Sequence, residues 1–195
     1  MAMRQCIVVV DIQCDFCEGG VLPARNTTTL IPQLNSVIAW CIEHEINCVF
    51  TRDWHPANHC SFHSQRGPWP SHCVQGTPGA EFAPGLRLPS SALVIDIEKD
   101  SDRANMSYSA FENTDLEAEL HARQIAEVAA CGIATDYCVK ATVLDALRYG
   151  FRTSVITDLV RPIDVYEGDS ANALAEMASA GATLITSHEW MAMRR

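Results

Sequence analysis

One stretch of the chain, residues 54–73, concentrates side chains that bind metal ions. It holds four histidines, two cysteines and three prolines and follows neither a helical nor a strand period. Asp53 and His55 lie two residues apart at the end of a predicted strand, where alternation points both side chains the same way, and His72 returns from the far end of the stretch. One carboxylate and two imidazoles, with water completing the shell, suit zinc, iron or manganese. The spacing therefore predicts a divalent metal site, most simply zinc. Two further histidines stay open as a fourth ligand, as neighbours of the ligands or as surface groups: His59 and His63.

Cys138 lies where a predicted strand gives way to a helix, in the sequence GIATDYCVKATVLDAL. A thiol in the first turn of a helix lies near the positive end of the helix dipole, which lowers its pKa and favours the thiolate. The backbone N–H groups there can also hold the oxyanion of a tetrahedral intermediate, worth about 3 to 4 kcal/mol for one good donor. The alternative is that Cys138 is a small apolar core residue.

Two further charged residues end apolar strands. Asp11 follows the run IVVV, and Lys99, one of only two lysines, ends the run ALVIDIEK. Taken singly, each is explained as a strand end in water. Taken with Cys138, they supply a base, a cation and a nucleophile, and a cation stabilises both a thiolate and developing negative charge.

The elements that must position these residues alternate along the chain. Short β-branched runs predict strands at 6–12, 46–53, 92–99, 126–133, 151–158 and 182–187, and helical spacing predicts helices at 28–45, 116–125, 136–150 and 170–181. This alternation predicts an α/β fold with a mostly parallel sheet and helices on both faces. Ligands of such sheets bind beyond the carboxyl ends of the strands, so the residues that end them should converge. The segment 56–89 breaks the alternation, and its aromatic residues favour an ordered functional loop.

Length and charge narrow the class of protein. At 195 residues and 48% apolar composition, the chain is expected to form one domain over residues 1–195. A formal charge of -10 argues against nucleic acid and anionic membranes as partners. No signal peptide or membrane span is apparent, which predicts a cytoplasmic protein. The nine cysteines are odd in number and several sit in apolar runs, so most are expected to be thiols.

Several motifs, in order along the chain, resemble one known family. They are VVVDIQCDFCEGG, TRDWHPANHCSF, GPWPSHCVQGTPGAEF, SYSAF and GIATDYCVKATVLDA. Together they resemble the nicotinamidase (pyrazinamidase) branch of the isochorismatase-like cysteine hydrolases, whose fold is a Rossmann-like three-layer domain.

The resemblance implies a role for each matching residue. Asp11, Lys99 and Cys138 match the family's catalytic triad, and Asp53, His55 and His72 match its metal ligands. A cis peptide bond is implied between Ile133 and Ala134, with the N–H groups of Ala134 and Cys138 as the oxyanion hole. The implied ring pocket contains Phe16, Leu22, Trp69, Ile133 and Tyr137.

The implied substrate is a small-molecule amide, nicotinamide or pyrazinamide, within the salvage of nicotinamide toward NAD. Cys138 would form a thioester while the metal orients the pyridine ring. Some family members use a fourth protein ligand, which stays open here because Ser64 stands where one such ligand is acidic. A homo-oligomer is compatible with the sequence.

Two alternatives stay open at this point. Relatives with the same triad cleave carbamoyl compounds such as biuret, N-carbamoylsarcosine and ureidoacrylate, although they generally lack the full Asp, His, His set. The other alternative is a noncatalytic zinc or thiol-redox module built on the histidine-rich stretch and on the sequence CDFC, Cys14 to Cys17.

Overall fold

A sheet of six parallel strands forms the centre of the computed structural model, which describes residues 4–98 and 106–193. The strands are β1 (Arg4–Val10), β2 (Asn47–Trp54), β3 (Leu93–Glu98), β4 (Ile125–Ile133), β5 (Arg152–Arg161) and β6 (Thr183–Ile185). Their order is β3-β2-β1-β4-β5-β6. The chain builds outward from β1 in one direction and from β4 in the other, and this reversal leaves a crevice at the carboxyl ends of these two strands.

Helices cover both faces of the sheet. They are α1 (Thr27–Glu43), α2 (Leu116–Ala122), α3 (Lys140–Arg148), α4 (Asp169–Ser179) and α5 (Ser187–Ala192). Along β1, Ile7 and Val9 pack in the core beneath α1 and α5, whereas Val8 and Val10 pack in the core beneath α2, α3 and α4. A strand buried on both sides has no polar alternation, which explains the continuous apolar run before Asp11. The predicted α/β class and its three layers are confirmed.

All six predicted strands and all four predicted helices are present, with shifted ends. Strand β5 continues to Arg161, three residues beyond its predicted end. The predicted helix 136–150 begins as a wider turn, Thr135–Val139, before α3 starts at Lys140. Helix α5 was not predicted.

A capping box starts helix α5. The Thr186 hydroxyl accepts the backbone N–H of Glu189 at 3.3 Å, and the Glu189 carboxylate accepts the backbone N–H of Thr186 at 2.9 Å. Asp158 on β5 holds the next residue, because its carboxylate accepts the Ser187 N–H at 2.7 Å and the Ser187 hydroxyl at 2.6 Å. These contacts join the last helix to the sheet.

The segment 56–89 is ordered by side chains, as its aromatic residues predicted. It contains only two short 3₁₀ turns, His63–Gln65 and Pro78–Ala80. Phe62 is fully buried, and its ring lies 5.1 Å from the ring of His55 and 5.5 Å from the ring of His72. The loop therefore has a small core of its own beside the predicted metal ligands. Within residues 4–98 and 106–193, no helix combines the length and apolarity needed to cross a membrane.

Candidate active site

A narrow cleft opens beyond the carboxyl ends of β1 and β4. Its walls are formed by Phe16, Leu22, Asp53, Trp69, His72, Tyr108, Ala134, Tyr137, Cys138 and Ile163. The cleft brings the predicted nucleophile together with two predicted metal ligands and four of the five predicted pocket residues. The fifth, Ile133, does not line it, because its side chain is fully buried in the core beneath α1.

The nucleophile is presented by a turn between β4 and α3. The peptide bond between Ile133 and Ala134 is cis, as the resemblance implied. Ala134 is extended, and its carbonyl accepts the N–H of Tyr137 at 3.1 Å and of Val139 at 3.0 Å. Cys138 is 6% exposed and lies two residues before the start of α3. Its thiol is therefore at the positive end of that helix and at the floor of the cleft.

Asp11 ends the neighbouring strand and is held by a hydroxyl group. It is fully buried with a left-handed φ of 47°. Thr51 on β2 donates its hydroxyl to Oδ1 of Asp11 at 2.5 Å and accepts the Asp11 N–H at 3.2 Å. One partner thus fixes both the backbone and the carboxylate of the predicted base.

The close approach of β1 to β4 requires a glycine. Val10 pairs with Gly132, whose φ is 113°, and a Cβ added there would lie 2.1 Å from the Val10 carbonyl oxygen. Only a residue without a side chain allows this spacing and this φ. Gly132 therefore helps set the separation between Asp11 and the nucleophile turn.

Two buried thiols lie close to this site, those of Cys73 and Cys138, and their surroundings give them different reactivity. The pKa of Cys73 is raised well above its ordinary value by burial and then by the nearby charges of Asp53, Asp11 and Asp15, with Cys138 contributing as well. A thiol in that environment stays protonated and unreactive. Cys138, at a helix start and on the cleft wall, is the better nucleophile.

The three predicted metal ligands come together. The ligand atoms of Asp53, His55 and His72 all lie within 4.8 Å of one another, and all three residues are buried. Nδ1 of His55 and Nε2 of His72 each lie 3.4 Å from Oδ2 of Asp53. Two imidazole nitrogens around one carboxylate form a donor set that fits a divalent transition metal with open coordination positions.

Neighbouring groups orient these ligands. Nδ1 of His72 is 2.8 Å from the carbonyl oxygen of Pro70, so it carries the proton and leaves Nε2 facing Asp53. Burial lowers the pKa of His72, but the hydrogen bond and the charge of Asp53 outweigh burial and the pKa is raised. A cation bound at these ligands would displace any proton from Nε2 of His72 and compensate the Asp53 charge in its place.

The two spare histidines occupy different places. His63 is exposed, and its Nε2 lies 3.0 Å from the carbonyl oxygen of Pro68, so it is a surface residue. His59 is buried with its ring 4.5 Å from the ring of His55, but its Nδ1 is 2.7 Å from the Ser61 hydroxyl. His59 thus borders the ligand group, and its Nδ1 hydrogen bond leaves the proposal of a fourth ligand at its Nε2 open.

Aromatic rings form the outer wall of the cleft. The rings of Trp69 and Tyr137 meet edge to face at 5.0 Å, and Nε1 of Trp69 donates to the Tyr108 hydroxyl at 3.1 Å. Phe16 lies across from them, with its ring 5.4 Å from that of His72. Burial and nearby Asp136 raise the pKa of Tyr137 to about 12, so its hydroxyl is neutral at physiological pH. Such walls suit a flat aromatic ring.

Tyr108 and Ile163 line the cleft although sequence reasoning assigned them no role. Tyr108 belongs to the motif SYSAF, which supported the resemblance without a residue-level interpretation. Ile163 follows the carboxyl end of β5 at Arg161, whereas the predicted strand ends at residue 158. Because ligands bind beyond the carboxyl ends of parallel strands, the correct strand end would have pointed to Ile163.

Lys99 lies outside the described residues. Cys14 begins a single 3₁₀ turn that Cys17 follows, and none of the nine cysteines, all of them described, is in a disulfide. Burial raises the pKa of both Cys14 and Cys17, which is opposite to what an active redox pair needs. The surroundings of these two thiols thus disfavour a redox role.

One small cleft is lined by a thiol, by two residues of the metal-binding group and by aromatic rings, and the buried carboxylate of Asp11 ends the strand next to β4. A thiol activated by a base can attack a carbonyl carbon. A metal held by Asp53, His55 and His72 could bind a Lewis-basic atom of a ring in this cleft. These features support covalent hydrolysis of a small aromatic carbonyl compound.

Comparisons with known proteins agree with this geometry. The sequence matches the family model described as the isochorismatase domain over residues 5–189. It is 40% identical over 205 aligned residues to the nicotinamidase of Escherichia coli strain K12, covering 94% of this chain and 95% of the relative.

Two solved structures extend the similarity to three dimensions. The pyrazinamidase of Pyrococcus horikoshii in complex with zinc has a TM-score of 0.88 at 43% identity, covering 94% of this chain and 99% of that one. A protein from L. infantum in complex with nicotinate has a TM-score of 0.86 at 32% identity, covering 97% of this chain and 96% of that one.

Proposed function

The chain belongs to the isochorismatase family, and from that premise we propose that it is an amidohydrolase that converts nicotinamide to nicotinate and ammonia. Pyrazinamide, a ring amide of the same size, is expected to be a second substrate. One observation carries the proposal: the thiol of Cys138, the metal-binding pair Asp53 and His72, and the rings of Phe16 and Trp69 line one cleft.

The reaction begins with proton transfer inside the site. Asp11 takes the thiol proton of Cys138, and the thiolate attacks the carboxamide carbon. The resulting oxyanion accepts hydrogen bonds from the N–H groups of Ala134 and Cys138, and Lys99 stabilises the negative charge. The C–N bond then breaks, Asp11 returns its proton to the leaving ammonia, and a thioester remains on Cys138.

Hydrolysis of the thioester completes the cycle. Asp11 accepts a proton from a water molecule as that water attacks the thioester carbon. The C–S bond breaks, Cys138 leaves as a thiolate and takes the proton back from Asp11, and nicotinate is released as its carboxyl proton passes to water. The buried position of Asp11 and its bond to the Thr51 hydroxyl keep the carboxylate in place through both proton transfers.

Recognition of the ring is assigned to the other side of the cleft. Asp53, His55 and His72 would hold a divalent metal, zinc in the first instance and otherwise iron or manganese, and this ion would supply a Lewis acid toward the ring nitrogen. The zinc complex of the P. horikoshii relative supports zinc. Phe16, Trp69 and Tyr137 would pack on the ring.

The wider setting follows from the proposed reaction. An intracellular amide that belongs to NAD metabolism is met in the cytoplasm, which is the proposed location, and the product would re-enter NAD synthesis. A carbamoyl compound would leave the aromatic walls without a ring to contact, so a ring amide fits the cleft better.

Ammonia release from nicotinamide by the zinc-loaded protein tests the proposal. Wild type is expected to release ammonia and Cys138→Ala to release none while still binding nicotinate. Cys41→Ala is a matched control, because Cys41 is buried in the core beneath α1. Turnover by Cys138→Ala would overturn the nucleophile assignment. Activity on carbamoyl compounds with none on nicotinamide would overturn the substrate.

A further inference from the structure

Asp136 lies in the turn that carries the nucleophile, yet its carboxylate bonds to another part of the chain. The residue is 7% exposed. Its Oδ1 accepts the N–H of Ile163 at 3.1 Å, and its Oδ2 accepts the N–H of Asp164 at 2.9 Å. One carboxylate thus takes two consecutive backbone N–H groups just beyond strand β5. Hydrogen bonds to an ionised acceptor are stronger than neutral ones, so this is a firm anchor.

The anchored residues bring an apolar side chain to the cleft. Ile163 lines the same cleft as Phe16 and Trp69 and packs against the core beneath α1. No predicted role covered it, and the proposed chemistry does not use it. Its distance from the reaction is set by the path of the backbone at residues 162–164.

A second anchor holds the other side of this segment. Asp164 has a φ of 51°, in the left-handed region that a residue with a side chain keeps only where its surroundings hold it. Its carboxylate accepts the N–H of Ser170 at 2.9 Å and the hydroxyl of Ser170 at 3.2 Å, in the first turn of α4. Ile163 therefore lies between a helix and the nucleophile turn, each of which restrains the backbone beside it.

We propose that Asp136 is a positioning residue that holds Ile163 as a fixed wall of the ring pocket and thereby makes the enzyme selective for unsubstituted ring amides. This rests on the proposed function, because it assigns a part in ring recognition. A rigid wall rejects a substituent by steric overlap, whereas a loose one yields to it. The Asp136 carboxylate accordingly acts on binding of the ring and leaves proton transfer at Cys138 to Asp11.

Asp136→Asn is the direct test, because the amide keeps the size of the carboxylate but turns an N–H group toward one of the two backbone donors. We expect KM for nicotinamide to rise about tenfold, the loss of roughly one hydrogen bond to a charged group. We expect kcat to change much less, and the ratio of kcat/KM for ring-methylated nicotinamides to kcat/KM for nicotinamide to rise. Hydrogen exchange at the Ile163 and Asp164 amides should accelerate.

Asp158→Asn is the matched control. Asp158 also accepts two hydrogen bonds from one anchored segment, at Ser187, but it does not line the cleft. It should lower Tm without changing KM or selectivity. Ile163→Ala should reproduce the gain in selectivity ratio, and the double variant with Asp136→Asn should add little to it, because both changes act through one wall.

Several outcomes would overturn the inference. They are an unchanged KM in Asp136→Asn, a fall in kcat alone, fully additive effects in the double variant, or unchanged exchange at the Ile163 and Asp164 amides. If Asp136→Asn does not fold, Ile163→Val and Ile163→Ala test the inference instead. Unaltered selectivity in both variants would show that Ile163 does not exclude substituted rings. Failure of the proposed function gives a different result from failure of this inference. Wild type would then release no ammonia from nicotinamide, whereas hydrogen exchange at the Ile163 and Asp164 amides would still show whether Asp136 restrains them.

Discussion

The side-chain amide of Gln13 is bonded twice to the backbone of Asp53. Its Oε1 accepts the Asp53 N–H at 2.8 Å, and its Nε2 donates to the Asp53 carbonyl at 2.9 Å. The same Nε2 donates to the carbonyl of Ala80 at 2.9 Å. Gln13 is fully buried and lies two residues after Asp11. It therefore joins the strand of the proposed base to the strand of the first proposed metal ligand.

Gln13→Met should weaken metal binding, because it keeps the length of the side chain and removes all three hydrogen bonds. Loss of a group that orients a ligand typically costs about 10- to 100-fold in metal affinity. Competition with a chelator measures the Kd for zinc. Gln75→Met is the control, since Gln75 makes one long exposed bond to the Trp54 carbonyl at 3.3 Å. Equal zinc affinities in the two variants would contradict the assigned role.

His72→Ala should mainly raise KM, because it removes a proposed ligand of the ring-binding metal and leaves the thiol and base intact. We expect a rise of at least about tenfold, with weaker zinc binding, and chelation of wild type should have the same direction of effect. Steady-state kinetics with defined zinc checks this. His63→Ala, at an exposed histidine, should behave as wild type. A loss of kcat at unchanged KM would argue against ring orientation.

Thr51→Val should slow turnover, because the Asp11 carboxylate loses the hydroxyl that holds it at 2.5 Å. A buried acceptor that loses its donor costs about 1 to 3 kcal/mol of stability, and kcat should fall about tenfold as the base loses its position. Urea unfolding and kcat together measure both effects. Thr142→Val is the matched control for Thr51→Val, because Thr142 is also buried and its hydroxyl accepts the Ala110 N–H at 3.0 Å. This variant should lower the free energy of unfolding and leave kcat unchanged.

Gly132→Ala should disrupt the contact between β1 and β4, because its Cβ would meet the Val10 carbonyl oxygen at 2.1 Å. We expect a loss of more than about 3 kcal/mol, or failure to fold, since both overlap and an unfavourable φ contribute. Gly85→Ala separates the two causes, because Gly85 also has a positive φ of 85° but has no atom within 4 Å of the added Cβ. It should cost about 1 kcal/mol. Denaturant unfolding measures both free energies of unfolding. Similar losses in Gly132→Ala and Gly85→Ala would refute steric overlap with Val10 as the cause.

Glu189→Gln should remove part of the pH dependence of stability. Hydrogen bonds from the Thr186 hydroxyl and backbone N–H lower the pKa of Glu189 from its ordinary value. A carboxyl whose pKa is lower in the folded state stabilises the fold above its unfolded pKa, and this contribution is lost as pH falls through the folded pKa. The variant should lower Tm by more at pH 7 than at pH 3. An equal drop at both values would show that the carboxylate charge is not responsible.

Helix α5 has a local sequence signal at its start, but that signal overlaps a predicted strand. The letters TSHE at Thr186 to Glu189 are a capping box, so a local signal for the helix start was present. The predicted strand 182–187 includes its first two residues, because Thr186 and Ser187 directly follow the apolar pair Leu184 and Ile185.

Long apolar runs were predicted well for a physical reason. Strands β1 and β4 are buried on both faces over residues 6–10 and 128–133, where no residue is polar or charged, and the residue that ends each run is placed near the site by the parallel topology. The motif residues of the site are identified by resemblance, and Asp53 and Cys138 line one cleft.

The contributions of Ile163 and Gln13 depend on contacts between distant parts of the chain. Asp136 and Ile163 are 27 residues apart in the sequence, and Gln13 and Asp53 are 40 residues apart. A helical or strand periodicity cannot predict contacts between residues so far apart in the sequence. Their roles follow only from the folded arrangement.

The reversal of strand order between β1 and β4 has an evolutionary consequence. The central seam carries the proposed bond-breaking groups, Asp11 and Cys138, and β2 supports them through Thr51, while β5 leads to Ile163 at the periphery of the cleft. Substitutions beyond the end of β5 can therefore change which amide is admitted while the seam and β2 preserve the reaction. Selection for new substrates should accumulate changes there before it alters the seam or β2.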